Sequence, residues 1–373
     1  MTRAAFVADV HLGNHKRFGG PVESSLNRRA REGLDVLRRA VVTARHKGCS
    51  TFTVAGDLFD YDRPEPQLIA ATQRVFEQRG GEDHLGIWAL VGNHEQVSNA
   101  EGDHAMGPLE PVVNVVEQPT WVNIPPSHGG RPIVMGLIPF RRGRASDWLP
   151  EAVRQLFADV PRAHTRILAL HLGISDSKTA PWLLSAPDAI DVCILRDVVR
   201  ESNVRAVFAG NWHDRQVWRF DDLTVLQIGA LVPTGFDNPG MHGFGTLAIF
   251  DDRASDPVSF HEISGPRYIK VTKASELPQS DQNKIYASVT APRTEFGAVS
   301  ADFGRAVESG RLVAAEVLPD TSENAAAARF AADAAKAAGT LDEALSKFVA
   351  EMHVAEGVKR DDVLTRSRKY LGR

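Results

Sequence analysis

The sequence predicts an α/β fold in which helices flank a layered sheet core, followed by a smaller C-terminal α+β domain. Three observations carry this. Short apolar, β-rich runs alternate with longer amphipathic stretches from the N-terminus to "VRAVFAG", the rhythm of βαβ units. Close-spaced strands with turn residues between them follow. Gly265 and Pro266 then punctuate the chain before a last mixed segment.

In order, "AAFVADV" reads as a strand, Leu26 to Lys47 as a basic amphipathic helix, "STFTVAG" as a strand, about Gln67 to Arg79 as a helix, and "GIWALVG" as a strand. The pattern continues through "RPIVMGLI", a helix near Ser146–Ala158, "RILALHLG" and "VRAVFAG". "RQVWRF", "LTVLQIG", "FGTLAIF" and "VSFHEI" lack helical crossovers and read as a second sheet, or a sheet edge packing on the first. Beyond residue 265 come "RYIKVT", "KIYASVT", a helix around Ala301–Glu308, "RLVAAEVL" and further helices, so the domains are expected at 1–265 and 266–373. "NAAAARFAADAAKAAG" reads as a helix, because alanine is the strongest helix former and Gly339 supplies a stop. Leu341, Ala344, Leu345, Phe348, Val349 and Met352 form an apolar stripe at helical spacing that packs on its own domain or docks a partner's helix.

A chain of 373 residues is long enough for one large domain plus a small one. A net charge of −4 with 24% charged residues excludes a globally basic surface, so nucleic acid would be met through a local patch. "FRRGR", with Arg141, Arg142 and Arg144, is a candidate patch, since arginine pairs bidentately with phosphate oxygens. Arg28, Arg29, Arg31, Arg38 and Arg39 read as the wet face of their helix. Cys49 and Cys193 lie in apolar segments without C-x-x-C spacing and read as two buried, reduced thiols of a reducing compartment. With no signal-peptide layout in "MTRAAFVADV" and no apolar run near the roughly 20 residues of a membrane helix, a cytoplasmic protein without membrane contact is expected.

Five stretches place metal-ligand residue types at the ends of predicted strands: "ADVHLG" (Asp9, His11), "AGDLFD" (Asp57), "VGNHE" (Asn93, His94), "LHLG" (His171) and "GNWHD" (Asn211, His213). In α/β sheets, ligands collect outside the carboxyl ends of the strands, so these distant positions are expected to converge. Asp9 and His11, two apart at a strand end, are expected to point to one side and reach a single cation. A carboxylate such as Asp57 can bridge two cations, and paired cations about 3.5–4 Å apart clamp the attacking and leaving oxygens of a phosphate displacement. Mixed His, Asp and Asn ligation suits Mn²⁺, with Mg²⁺ as the other candidate. Asp60 is read as supporting the site or capping its loop rather than as a ligand.

Together, D-x-H, G-D-x-x-D, G-N-H-E and a late G-x-x-H resemble the calcineurin-like metallophosphoesterase superfamily over about the first 260 residues. The resemblance implies a metallophosphoesterase β-sandwich flanked by helices and two divalent metal ions. By position, it implies Asp9, His11, Asp57 and His213 around the first metal, and Asp57, Asn93, His171 and Asn211 around the second. His94 then contacts the phosphate and acts as general acid while hydroxide attacks phosphorus. "ADVHLG" and the appended C-terminal domain are most similar to SbcD-type DNA repair and recombination nucleases, including those of phages. That likeness implies DNA as substrate, a C-terminal capping domain, and an SMC-like coiled-coil ATPase as partner; a homodimer is a further expectation. The competing functions are a small-molecule phosphodiesterase or protein phosphatase on the same centre, and a catalytically weak scaffold binding DNA or a partner. Asn211 keeps the last reading open, because it stands where a histidine is usual. A carboxamide oxygen can still ligate, but it is neutral and harder than imidazole. The expectation is a weaker, oxygen-richer second site preferring Mn²⁺ or Mg²⁺ to Zn²⁺.

Overall fold

Alternation along the strands sorts their side chains into two apolar layers, and the architecture follows from how those layers are covered. In the computed structural model the described residues are 2–77, 85–100, 102–124, 132–161, 163–178, 184–236, 245–278, 284–320, 345–346, 348–350, 352 and 359–370. One sheet runs β14 (Val258–Ile263), β13 (Gly245–Asp251), β1 (Arg3–Val7), β2 (Thr51–Val54), β3 (Gly86–Leu90), β4 (Asn114–Val116). The other runs β11 (Gln216–Arg219), β12 (Thr224–Gln227), β10 (Val204–Gly210), β7 (Thr165–His171), β6 (Ile133–Ile138), β5 (Thr120–Ile124).

Strands β1 to β4 pair in parallel, as do β6, β7, β10 and β12, while antiparallel partners stand at the flanks. Inward residues such as Ala4, Phe6, Met135, Ile167, Phe208 and Phe250 form a core between the two sheets. Phe6 of β1 and Phe208 of β10 stack across that core with centroids 3.9 Å apart and planes 7° from parallel. On the outer face of the first sheet lie α1 (Arg28–His46) and α2 (Pro66–Phe76), and on that of the second lie α3 (Ala145–Phe157) and α4 (Val192–Glu201). The fold is therefore a helix-flanked β-sandwich of mixed α/β class.

The helix starts are chemically specified. Asn27 caps α1 by accepting from the Ala30 N–H, Asp191 caps α4 by accepting from the Cys193 N–H, and α2 opens with a proline. A short parallel pair, β8 (Gly173–Ser175) with β9 (Ala189–Asp191), follows the end of β7. The expected elements do not include β4, β5, β8, β9 and α4, which span three to ten residues each; pairing to a neighbouring strand defines the strands among them.

Two residues depart from the sequence reading. Cys193 is exposed rather than buried, because α4 turns Val192, Leu195 and Val199 inward and leaves position 193 on the outer face. Arg29 is no part of a wet face. It is buried, donates to the carbonyls of Arg17, Pro233 and Thr234, and lies over the Tyr268 ring.

The chain divides into two compact units, one of Met1–Lys270, Pro278–Ser288 and Val307–Ala315, the other of Val271–Leu277, Val289–Ala306 and Glu316–Arg373. In the first unit β15 (Arg267–Lys270) pairs in parallel with the start of β16 (Ile285–Ala291). Tyr268 and Tyr286 stack there, and the Tyr286 hydroxyl donates to buried Glu32 of α1. In the second unit lie α5 (Phe296–Glu308) up to Ala306, with Phe303 buried, and α6 (Arg360–Tyr370). The alanine-rich stretch, Leu341 and Ala344 lie outside the described residues. No helix among the described residues is long and apolar enough to cross a membrane.

Replacing Phe208 by Ala removes one half of the stack between the sheets. The expected cost is about 3–5 kcal/mol of unfolding free energy, read as a lower denaturation midpoint at unchanged slope.

Candidate metal centre

Parallel strands deliver their carboxyl ends to one edge of each sheet, and five of the loops that leave those ends meet. Asp9 and His11 follow β1, Asp57 follows β2, Asn93 and His94 follow β3, His171 ends β7, and Asn211 and His213 follow β10. Both sheets thus contribute. The meeting of Asp9 and His11 has a different cause from the strand alternation expected of them, because β1 stops at Val7. Both residues instead adopt left-handed backbone conformations, φ 51° and 47°, as do Asp57 (51°) and Asn211 (90°). Such geometry is costly for residues with a Cβ and is held here by the surroundings. The N–H groups of Asp9, Val10, His11 and Leu12 donate to the carbonyls of Gly56, Asp57, Asp57 and Leu58, zipping the first loop to the second.

Ligand-type atoms of Asp9, His11 and His213 lie within 4.8 Å of one another, as do those of His11, Asp57 and His94, and those of Asp9, Asp57 and His171. His11 Nε2 and His213 Nε2 are 2.9 Å apart. His171 donates through Nδ1 to the Ala55 carbonyl at 2.7 Å, which leaves Nε2 facing Asn93 Oδ1 at 2.8 Å and Asp57 Oδ2 at 3.3 Å. His94 Nδ1 is likewise engaged, donating to the Asp60 carbonyl at 2.8 Å, and its side chain is 39% exposed. Its Nε2 is therefore the ring atom left for a ligand.

Close approach explains two of the glycines. A Cβ at Gly92 would overlap the Asp57 carboxylate, and one at Gly56 would overlap the His171 ring.

The electrostatics ask for positive charge. Asp9 is fully buried, and among the described residues its Oδ2 has no hydrogen-bond partner. Burial first, and then the neighbouring Asp57 charge, push its pKa up to about 6 against the pull of His171 and His11. Burial works against ionised Asp57 too, but the His171 charge and hydrogen bond, with His11 and His94, hold its pKa well below the usual carboxylate range. Burial opposes a charged His171, yet Asp57 and Asp9 push its pKa up to about 10. His213, half-buried, is pulled down to about 4 by that desolvation first and then by the neighbouring His11 charge. Asn93 Oδ1, Asp57 Oδ2 and Asp9 Oδ2 only accept, and the imidazole nitrogens converge on them. Such a set is satisfied by a proton or by a cation, and its oxygen and imidazole donors fit divalent ions of the Mn²⁺ or Mg²⁺ kind.

Several residues beyond the candidate ligands support the site. Asp60 lies 3.2 Å from His11 Nδ1 and 3.4 Å from His15 Nδ1, and its backbone carbonyl orients His94, so it supports the site. Glu95 is fully buried and accepts the N–H groups of Phe59 and Gly92, tying the second and third loops together. Burial and Asp57 push its pKa up to about 7. Gln227 clamps the last loop, donating to the Gly210 carbonyl at 2.7 Å and accepting from Ile174 N–H at 2.9 Å. Glu95 stands inside "VGNHE", where adjacency to Asn93 and His94 was the available signal, whereas Gln227 lies in a strand with no local signal.

Of the arginines, Arg142 is spent on structure: its guanidinium donates to the Gln96 and Val97 carbonyls just after the third loop. Arg141 lies over Trp148, and Arg144 sits exposed at the start of α3.

This geometry defines the class as a metal-centred phosphoester hydrolase fold, and comparison with known proteins agrees. The calcineurin-like phosphoesterase family model matches residues 2–215, so the chain belongs to that family, whose members hydrolyse phosphoesters at a dinuclear metal centre. Over 96 residues it is 34% identical to the DNA double-strand break repair protein Mre11 of Methanopyrus kandleri, a match covering 25% of this chain and 19% of that protein. The chain thus spans about a fifth of that relative's length. Among solved structures, it is similar to a putative 5′-nucleotidase from Staphylococcus aureus (12% identity, 70% of this chain and 53% of that one, TM-score 0.44). It is also similar to a dimetal phosphatase from Danio rerio (12% identity, 70% and 99%, TM-score 0.40).

Two outcomes are expected. Because the Asp9 pKa is raised to about 6, its contribution to the metal-free fold is full below the ordinary carboxylate value and is lost as pH rises through 6. A cation must displace that proton and those of the charged His171 and His11 imidazoles, so apparent Mn²⁺ affinity should fall by at least about tenfold per pH unit below 6; titration calorimetry from pH 5 to 8 reads this, and a flat profile contradicts it. Glu95→Ala strands two buried N–H groups and should cost about 1–3 kcal/mol for each, measured by chemical denaturation.

Proposed function

We propose that this protein is a divalent-metal-dependent phosphodiesterase acting on DNA, with Mn²⁺ as its preferred ion. The observation that carries the reading is the convergence of acceptor-only oxygens and imidazole nitrogens from five loops beside a partly exposed histidine whose Nδ1 is already engaged. Asp9, His11, Asp57 and His213 would hold one cation, and Asp57, Asn93, His171 and Asn211 the other. Two such cations, when bound, supply Lewis-acid charge to the phosphoryl oxygens and to the attacking water. The protein's own part is orientation and proton transfer. The Asp60 carbonyl holds His94 in the tautomer that carries its proton on Nδ1, so protonation at Nε2 makes it an acid aimed away from the loop. From there it donates to the departing alkoxide oxygen as the P–O bond breaks.

DNA is favoured over a small phosphodiester by the likeness to Mre11, itself a DNA double-strand break repair protein. Arg141 and Arg144 offer exposed guanidinium groups on the loop after β6 for backbone phosphates, with Arg142 shaping the neighbouring loop. The C-terminal unit acts in this reading as a capping element and as the surface for an SMC-like ATPase.

The test is cleavage of linear duplex DNA, circular single-stranded DNA and a chromogenic phosphodiester with and without Mn²⁺. His94→Ala should lower kcat by about 10²–10⁴-fold while Mn²⁺ stoichiometry is kept. DNA cleavage that survives the change, or turnover confined to the chromogenic ester, would overturn respectively the acid and the DNA assignment. Arg141→Ala with Arg144→Ala should raise KM for DNA and reduce its salt dependence, leaving the small ester unaffected.

A further inference from the structure

Asn211 poses a problem that its own loop does not solve. A carboxamide is neutral and can turn either its oxygen or its NH₂ toward a cation, and only the oxygen ligates. The neighbour that settles the choice comes from another part of the chain. Asn211 Nδ2 donates to Asp188 Oδ2 at 3.0 Å. An ionised carboxylate only accepts, so the NH₂ faces Asp188 and Oδ1 takes the other side of the amide.

Asp188 is well placed for this. Its carbonyl accepts from Gly173 N–H at 2.9 Å, and the next residue, Ala189, pairs with Gly173 in the β8–β9 ladder. Gly173 follows His171 by two positions, and its Cα packs so closely under the Trp212 indole that a Cβ there would overlap the ring. The corner carrying Asp188 is thereby fixed to His171 on one side and to the residue after Asn211 on the other. Asn211 is pinned a second time, its N–H donating to Asp9 Oδ1 at 2.8 Å in a left-handed conformation of φ 90°.

We propose that Asp188 is a positioning residue for the second cation, anchoring and polarising the Asn211 carboxamide so that its oxygen is the atom presented to the metal. The pair stands in for an imidazole: Asn211 supplies the donor atom, and Asp188, accepting from the amide NH₂, polarises it so that the oxygen carries more negative charge. Carboxylates that hydrogen-bond a metal ligand from behind act in this way, and losing one typically weakens metal binding by about 10–100-fold. The proposal rests on the dinuclear reading given above.

The test is stepwise Mn²⁺ titration of the full chain by calorimetry, with Mn²⁺ EPR counting bound ions, for wild type, Asp188→Ala, Asp188→Asn, Asn211→Ala and the double alanine variant. Wild type should bind two ions. Asp188→Ala should weaken the second by about 10–100-fold and leave the first unchanged, with Asp188→Asn intermediate because it keeps the shape and loses the charge. In the Asn211→Ala background the Asp188 change should cost nothing further, since its effect passes through the amide. An unchanged second affinity in Asp188→Ala overturns the proposal, as does a loss that persists without Asn211. If Asp188→Ala does not fold, Asp188→Asn with first-ion affinity as its control gives the same decision. Fewer than two ions in wild type removes the dinuclear reading itself, a result distinct from the others.

Discussion

Two carboxylates, Asp9 and Asp57, are buried together where the two sheets meet at their carboxyl ends, and each is at most 1% exposed. Burying one such charge costs several kcal/mol unless it is paired, and burying two side by side adds repulsion. The surroundings respond in opposite ways. Asp57 stays ionised because His171, His11 and His94 press on it, while Asp9 drifts toward protonation with one oxygen unpartnered among the described residues. His171 is held charged by the same carboxylates. This imbalance is the central physical fact of the molecule: the fold concentrates negative charge and acceptor atoms at one point and leaves divalent cations to complete it.

Everything near that point serves to hold strained backbone in place. Four of the candidate ligand residues take left-handed conformations, and each is locked by neighbours that belong to other loops. Glu95 joins the second and third loops, Gln227 secures the last, and Asp60 orients three histidines. Gly56 and Gly92 allow His171 and Asp57 to come closer than any side chain would permit. Beneath the site, the Phe6–Phe208 stack and its apolar neighbours hold the sheets face to face, so loops from both sheets keep their mutual distances. A centre assembled from two sheets depends on that contact in a way that a centre carried by a single loop would not.

Membership of the calcineurin-like phosphoesterase family accounts for the reaction class, and the chain's own departures shape the individual site. Asn211 stands where the family resemblance places a histidine, and its amide donates to Asp188. Arg142 illustrates how a basic cluster divides its labour. One guanidinium is consumed in fastening the loop after His94, and its neighbours at 141 and 144 face outward.

Most of the order of strands and helices and the five stretches that supply the candidate centre were legible in the residues alone. Hydrophobic period, capping chemistry and glycine placement are local properties of a chain. Asp9, His11, Asp57, Asn93, His94, His171 and His213 could be singled out because each follows a strand in a short distinctive setting. Three things were not legible. Arg29 looked like a surface charge, and only the Arg17 and Pro233–Thr234 carbonyls and the Tyr268 ring, brought in from distant segments, make it a buried anchor. Cys193 lies in an apolar run, and only the packing of α4 decides that its side faces out. Asp188 carries no motif at all and acquires meaning solely from standing 3.0 Å from Asn211. The sequence by itself determined which residue types end the strands, because that is written in local pattern. The tertiary structure decided which of them converge and which share a hydrogen bond, because those depend on distances between segments that no local pattern encodes.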